Sequence, residues 1–418
     1  MNKIETIKLD NGLTIYLYQD KRKHTTLFQL VTRFGGTTED FIIDGKEIHL
    51  HDGIAHMLEH YLVECNKYGN FLDILGKKEM RTNASTSDTY TKYYFDTVEN
   101  VEFGIKTILN CVYSPIFTKE NLEKLKNPIC QELRRSANNK FFHHNIKKLE
   151  NCSHNIHYKT TLGSLKEIQN TTLKEIQLCY EAFYNPKNQF IVVAGNFDKE
   201  KILQVIKKET KDLEASKHIV EKLDLQEKGS VVKKQGEIIF PTPNPYLEVT
   251  YKIPINHLSN IEQLKLTFYM QIFFNMNLGT SSPLYNKLVK NQIITTNINR
   301  SIRRIDNYLL ISIGSYSNQE EVLKDEITKA IKKLNWDQKL FEIDKKNIIL
   351  DIILREENLP NTVGPFIENI VDFSYPYLDT VEDIEKLNYN EFKERISSLD
   401  FSNYTITTIH NPKKENVN

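Results

Sequence analysis

Residues 52–65 read DGIAHMLEHYLVEC. Ile54, Met57, Leu58, Tyr61 and Leu62 recur at the spacing of a helix with one apolar face, and Asp52 stands where an N-cap residue is expected. On such a helix His56 and His60, four residues apart, are neighbours on one face. Two imidazoles so placed can bind one metal ion together. Glu59 lies on the adjoining edge, where it can reach a metal-bound water rather than the metal. A carboxylate there can take a proton and later return it to a leaving amine. Two histidines and a glutamate at this spacing also arise by chance, so the metal reading needs a third ligand. Catalytic zinc usually takes three from the protein. The candidate is Glu132, within NPICQELRRS at 127–136, although the common fate of such a residue is a solvated helix surface.

The flanking sequence predicts a mixed architecture. IETIKLDNGLTIYLYQD at 4–20 carries Asn11-Gly12 between alternating apolar segments, a hairpin signal. A third strand follows at 26–36, and the Thr- and Tyr-rich stretch 80–97 reads as one or two more. Helical patterns cover 99–113, 118–138 and 171–184, then a buried strand at 190–198 leads into a helix at 198–208. A polar, charge-mixed stretch separates this half from a second one that again opens with β structure, PYLEVTYKIPI at 245–255. Helices at 259–277, 318–335 and 338–357, strands near 296–315 and a last strand, NYTITTIH, complete it. The expected fold class is α+β, with two related lobes of mostly antiparallel sheet packed against helices. The expected division is a lobe at 1–215 bearing the histidines, a linker at 216–236 and a second lobe at 237–418.

Composition excludes several functions. Among 418 residues, 55 Lys and Arg balance 55 Asp and Glu, so binding nucleic acid through bulk positive charge is not expected. Apolar runs such as FIVVAG at 190–195 are strand-sized, so no membrane span is expected. The first residues lack the apolar stretch of a secretory signal. The cysteines, at 65, 111, 130, 152 and 179, are odd in number, widely spaced and without a CxxC pair. A reducing, cytoplasmic setting is therefore expected rather than a disulfide framework. His49 and His51 precede the helix, and His143, His144, His154 and His157 are scattered. All are read as structural or exposed groups.

HDGIAHMLEH at 51–60 resembles the inverted zinc motif, HxxEH, of the pitrilysin and mitochondrial-processing-peptidase family. LDNGLTIYL at 9–17, Asn83-Ala84, the stretch 162–198 and GTSSPLYNKLV at 279–289 are similar to that family as well. The resemblance implies zinc as cofactor, His56, His60 and Glu132 as its ligands, and Glu59 as the catalytic base. It also implies that a peptide substrate adds to the strand at 80–97, with Asn83, Ala84, Ser85 and Thr86 as substrate-binding residues. Two departures stand out. A second glutamate expected two helical turns before Glu132 is replaced by Leu125, and Glu123 is out of phase with it. The Arg and Tyr expected after the small-residue turn are replaced by Val289 and Thr296, with Lys290 or Arg300 as the nearest substitutes. The resemblance thus implies a zinc endopeptidase for short or unfolded peptides, maturing a specific precursor or clearing fragments. The expected partner is a paralogue that lacks HxxEH and carries the Arg/Tyr pair, forming a heterodimer. The alternative is a non-catalytic scaffold subunit.

Overall fold

The computed structural model describes residues 4–155, 160–223 and 227–412. His157 lies outside the described residues. The chain divides into two compact units built from interleaved segments. The first comprises Met1–Arg135, Thr160–Asp224 and Arg355–Leu378, and the second Ser136–Lys159, Leu225–Leu354 and Asp379–Asn418. Residues 136–159 belong with the later half, and 355–378 belong with the earlier one.

The first unit holds a six-stranded sheet. Its strands are β1 (Ile4–Lys8), β2 (Thr14–Gln19), β3 (Thr26–Thr32), β6 (Arg81–Thr86), β7 (Thr91–Thr97) and β8 (Gln189–Gly195), ordered β1-β2-β8-β3-β7-β6. All pairs are antiparallel except β2–β8. The β1–β2 turn uses Asn11-Gly12, with Gly12 at φ 95° and Leu13 N–H donating to the Asn11 side chain. Every residue of β3 and β8 is buried, as expected for strands covered on both faces. A small sheet of β4 (Asp40–Ile43), β5 (Lys46–His49) and β9 (Val220–Lys222) has the strand order β5-β4-β9.

Helices α1 (Ile54–Glu64), α2 (Phe71–Gly76) and α3 (Val101–Val112) follow from the apolar periodicity of their sequences. They lie on the face of the large sheet that carries Tyr93 and Phe95; Phe71 meets Tyr93 edge-on, and Gly104 of α3 leaves room for the Phe95 ring. The unit also contains α4 (Lys119–Ala137), α6 (Leu165–Asn170), α7 (Leu173–Phe183) and α8 (Lys199–Thr210). On the other face Tyr16, Val31, Phe190 and Val192 pack against Leu359, Val363, Phe366 and Ile370. Those four belong to α13 (Leu359–Phe373), a helix absent from the expectations.

In the second unit, α5 (Lys140–Cys152) accompanies β10 (Gln235–Ile239), β11 (Tyr246–Pro254), β12 (Asn299–Ile305), β13 (Tyr308–Tyr316) and β14 (Tyr404–His410). The sheet order is β10-β14-β11-β13-β12. The β10–β14 pair is parallel and the remainder are antiparallel. The succession of pairings matches β2-β8-β3-β7-β6, so the two lobes share one topology, as expected. One face packs on α9 (Asn260–Leu278), α11 (Glu320–Lys332), α12 (Gln338–Arg355) and α15 (Tyr389–Ser397). The short α10 (Pro283–Lys290) and α14 (Val381–Glu385) complete the unit.

Lys252 of β11 and Glu227 form a buried ion pair with side chains 1% and 0% exposed. The ammonium also donates to the Cys152 carbonyl at 2.9 Å, while Glu227 accepts from the Ser153 hydroxyl and the backbone of His154 and Asn155. Removing one partner leaves an uncompensated buried charge, which typically costs about 3–5 kcal/mol. Lys252→Ala should therefore destabilise the second unit by that much, seen as a lower urea midpoint. A midpoint unchanged in urea unfolding would show that the pair adds nothing.

Candidate metal centre

The centre lies entirely within the first unit. It is built from the α1 helix, the α4 helix and the β6 strand. Helix α1 places His56 and His60 one turn apart, with their Nε2 atoms separated by 3.2 Å. Glu132 of α4 brings Oε2 to 3.4 Å from His60 Nε2 and 3.7 Å from His56 Nε2. A tetrahedral zinc ion with bonds of about 2.0–2.1 Å separates its donors by about 3.3 Å. The three donors have close to that spacing, and their chemistry, two imidazoles and a carboxylate, is that of a catalytic zinc set. Among the described residues this is the one group of three or more histidine, cysteine or carboxylate donors close enough to share an ion.

Glu59 does not join the donors. It is 6% exposed, and its Oε2 accepts a hydrogen bond of 2.6 Å from the Thr86 hydroxyl on β6. Thr86 in turn lies 3.2 Å from the hydroxyl of Thr91, which donates to the Phe34 carbonyl. Thr86, expected among the substrate contacts, therefore holds the acidic side chain. Nothing in the motif's own spacing signals this tie, because it is made between a helix and a strand distant in sequence. Asn83 is exposed, Ala84 buried and Ser85 half-buried along the same strand.

β6 is the last strand of its sheet. Ser87 N–H bonds to the Tyr90 carbonyl, which sets the alternation of the hairpin. In an antiparallel pair every second residue turns its main-chain groups away from the partner strand. Counting back from Ser87, the outward residues are Thr86, Ala84 and Thr82. Their N–H and C=O groups face the edge of the sheet beside the centre, where the Thr86 amide meets the Glu59 carboxylate.

Electrostatics separates the four side chains. Burial pushes the His56 imidazole down to about 4, helped by the neighbouring His60 and opposed by Glu132. Burial also acts to lower His60, but the Glu132 hydrogen bond and the charges of Glu59, Glu132 and Glu64 outweigh it, and its pKa is raised. The hydrogen bond from His60 holds Glu132 below the usual carboxylate range against partial burial. Burial raises Glu59, and the Thr86 hydrogen bond only partly offsets this.

Two features differ from the expectations or extend them. Asp52 is not the N-cap of α1. The cap position is Gly53, at φ 90° and without a side-chain cap; the acceptor is instead Glu39, whose Oε1 takes Gly53 N–H at 3.0 Å and Ala55 N–H at 3.3 Å. A carboxylate 14 residues upstream leaves no local signature. The second feature is at Leu125, which is fully buried, while Glu123 pairs with Lys126. Neither supports the ligands, and His56 Nδ1 is buried without a hydrogen-bond partner. His51 is tied to the Asp52 carbonyl and the Thr171 hydroxyl, His49 pairs with Asp40, and His144 is buried. In the second unit Val289 is 46% exposed, the Thr296 hydroxyl turns to Ser315, and Arg300 donates to Asn275.

Residues 170–347 match the family model described as the peptidase M16 inactive domain. The chain is 27% identical to the uncharacterized zinc protease YmfH of Bacillus subtilis over 329 residues, 78% of this chain and 76% of that protein. An M16-like protein of Alicyclobacillus acidocaldarius superposes with a TM-score of 0.89 at 21% identity, covering 98% of this chain and 99% of that one. The chain is thus similar to M16 proteins in sequence and shares their fold, at the length of a single half. Pitrilysin gives the length relation: 98% of this chain aligns with 45% of that one, at TM-score 0.74 and 19% identity. The family-model match begins downstream of His56, Glu59, His60 and Glu132, so the M16 description as inactive concerns a segment without the motif.

In the metal-free protein the two histidines should titrate apart, His56 near 4 and His60 above the ordinary 6.5. The signs for stability are opposite. Between 6.5 and about 4 the folded state binds fewer protons at His56 than the unfolded state, so acidification through that window destabilises the fold. The His60 contribution is complete below 6.5 and is lost as pH rises through its raised value. Histidine NMR titration of the chelator-treated protein checks this, and two coincident transitions near 6.5 would refute it.

Proposed function

We propose that the chain is a zinc-dependent endopeptidase acting on short or unfolded peptides. The observation that carries this is the convergence of His56, His60 and Glu132 at near-tetrahedral donor spacing, with Glu59 beside them and outside the donor set. Zinc held there would supply Lewis acidity toward a peptide carbonyl and acidify a water. Glu59 takes the proton of the attacking water and passes it to the leaving amine. Its raised pKa brings it nearer to neutrality, which suits a group that both accepts and donates. Thr86 fixes the carboxylate that it touches. The substrate pairs by main-chain hydrogen bonds with Thr82, Ala84 and Thr86 on the free edge of β6, as in strand addition. Asn83 and Ser85 then flank the bound backbone. Backbone pairing does not read side chains, so it accepts extended, unfolded segments and rejects folded ones.

In the same reading the partner is a paralogue without HxxEH that supplies the Arg/Tyr pair, since Val289 has no hydrogen-bonding side chain and the Thr296 hydroxyl is engaged by Ser315. The resulting heterodimer matures a specific peptide precursor or clears fragments. Five free, buried cysteines accord with a cytoplasmic setting. One observation favours the alternative of a non-catalytic subunit: His56 Nδ1 lacks the second partner that zinc-binding histidines almost always have.

Chelation should abolish peptidase activity of the chain with its partner, and zinc should restore it. Glu59→Gln should retain one zinc per chain by elemental analysis while turnover falls about 10²–10⁴-fold, the usual contribution of a general base. Wild-type turnover in this variant would overturn the mechanism. A wild-type protein that binds no zinc would favour the scaffold reading.

A further inference from the structure

His56 occupies the third position of α1, inside the first turn, where a helix has no backbone partners for its N–H groups. Such a turn frays unless capped. No serine, threonine, asparagine or aspartate caps it, and His56 Nδ1 makes no hydrogen bond that would fix the ring. The ligand's position therefore depends on the backbone beneath it. That backbone is held in two ways. The first is Glu39, 0% exposed, whose Oε1 accepts from Gly53 and Ala55. Its own carbonyl receives Leu50 N–H at 3.3 Å, and the next residue opens β4, so the carboxylate links the small sheet to the helix. The second is a close backbone crossing at Gly53 and Gly163. A Cβ on Gly53 would lie 2.7 Å from the Leu162 carbonyl, and one on Gly163 would lie 2.2 Å from the Asp52 carbonyl; both residues have positive φ.

We propose that Glu39 is a positioning residue for the metal centre: by binding the first-turn amides of α1 it sets the place of His56 in the absence of a hydrogen bond to His56 Nδ1. The proposal rests on the zinc-peptidase reading for the identity of the metal and goes beyond it in naming the residue that orders the ligand turn. The role belongs to the reach of one acceptor oxygen. The substitution Glu39→Gln keeps an acceptor oxygen at the same distance. The substitution Glu39→Asp keeps the carboxyl group and falls one carbon short.

The test is zinc affinity by chelator competition on the full chain, with far-UV circular dichroism to verify folding. Glu39→Asp and Glu39→Ala should bind zinc about 10–100-fold more weakly than wild type, the usual effect of removing an outer partner of a metal ligand. Glu39→Gln should lose less than that about 10-fold lower bound, because one oxygen can still serve both amides. Hydrogen exchange at Ala55 should accelerate in Glu39→Asp and not in Glu39→Gln. If Glu39→Ala does not fold, the shortened-acid and amide variants carry the comparison. Equal zinc affinity in Glu39→Asp and wild type would overturn the proposal, as would equal losses in Glu39→Asp and Glu39→Gln. His60→Ala serves as the control: if it binds zinc like wild type, the metal reading fails, irrespective of Glu39.

Discussion

The centre depends on a short helix meeting a long one at a single point. An α-helix brings residues four apart onto neighbouring positions, and this brings His56 and His60 within 3.2 Å at their ring nitrogens. That geometry is common. The demanding part is Glu132, which arrives from α4, 72 residues after His60 along the chain, and stops 3.4 Å from the second imidazole. Without a cation, three such groups are held by one carboxylate accepting from His60 and by burial of His56 in its neutral form. A neutral imidazole and an ionised carboxylate are also the protonation states that a metal requires.

The surrounding fold explains why those groups meet. The sheet of the first unit presents β6 as its free edge, and α1 packs beside it where Thr86 meets Glu59. Glu59 is thus held on the strand at the edge of the sheet. The second unit repeats the same order of parallel and antiparallel pairs with different residues. Its strand equivalent to β6 is β12, which reads NRSIRRI, and its helix equivalent to α1 is α9, which has no histidine. One architecture was used twice, and metal donors were placed in only one copy.

Much of this was legible in the sequence. Hairpin chemistry at Asn11-Gly12, the helical period at 54–62 and the Thr/Tyr-rich strands at 80–97 are local signals, and each corresponds to an element in the structure. His56, Glu59 and His60 were legible for the same reason, since four residues of helix fix their relation. Glu132 was a bare candidate until the family resemblance implied its role, because a ligand from a separate helix has no local periodicity to reveal it. Other features stayed hidden for the same reason. Glu39 caps a helix from a distance, Thr86 reaches Glu59 from a separate strand, and α13 returns late in the chain to cover the first sheet. The expectation of an Asp52 cap came from residue preference alone, and the left-handed Gly53 beside Gly163 excludes it.

The most direct measurement is X-ray absorption at the zinc edge on the zinc-loaded protein. Two imidazole nitrogens and carboxylate oxygen at about 2.0–2.1 Å, in a four-coordinate shell, are the expected first sphere. In His60→Ala the imidazole signal should fall by half. A first sphere of six oxygens without imidazole scattering, or zinc that washes away at neutral pH, would contradict the convergence of His56, His60 and Glu132 on one ion.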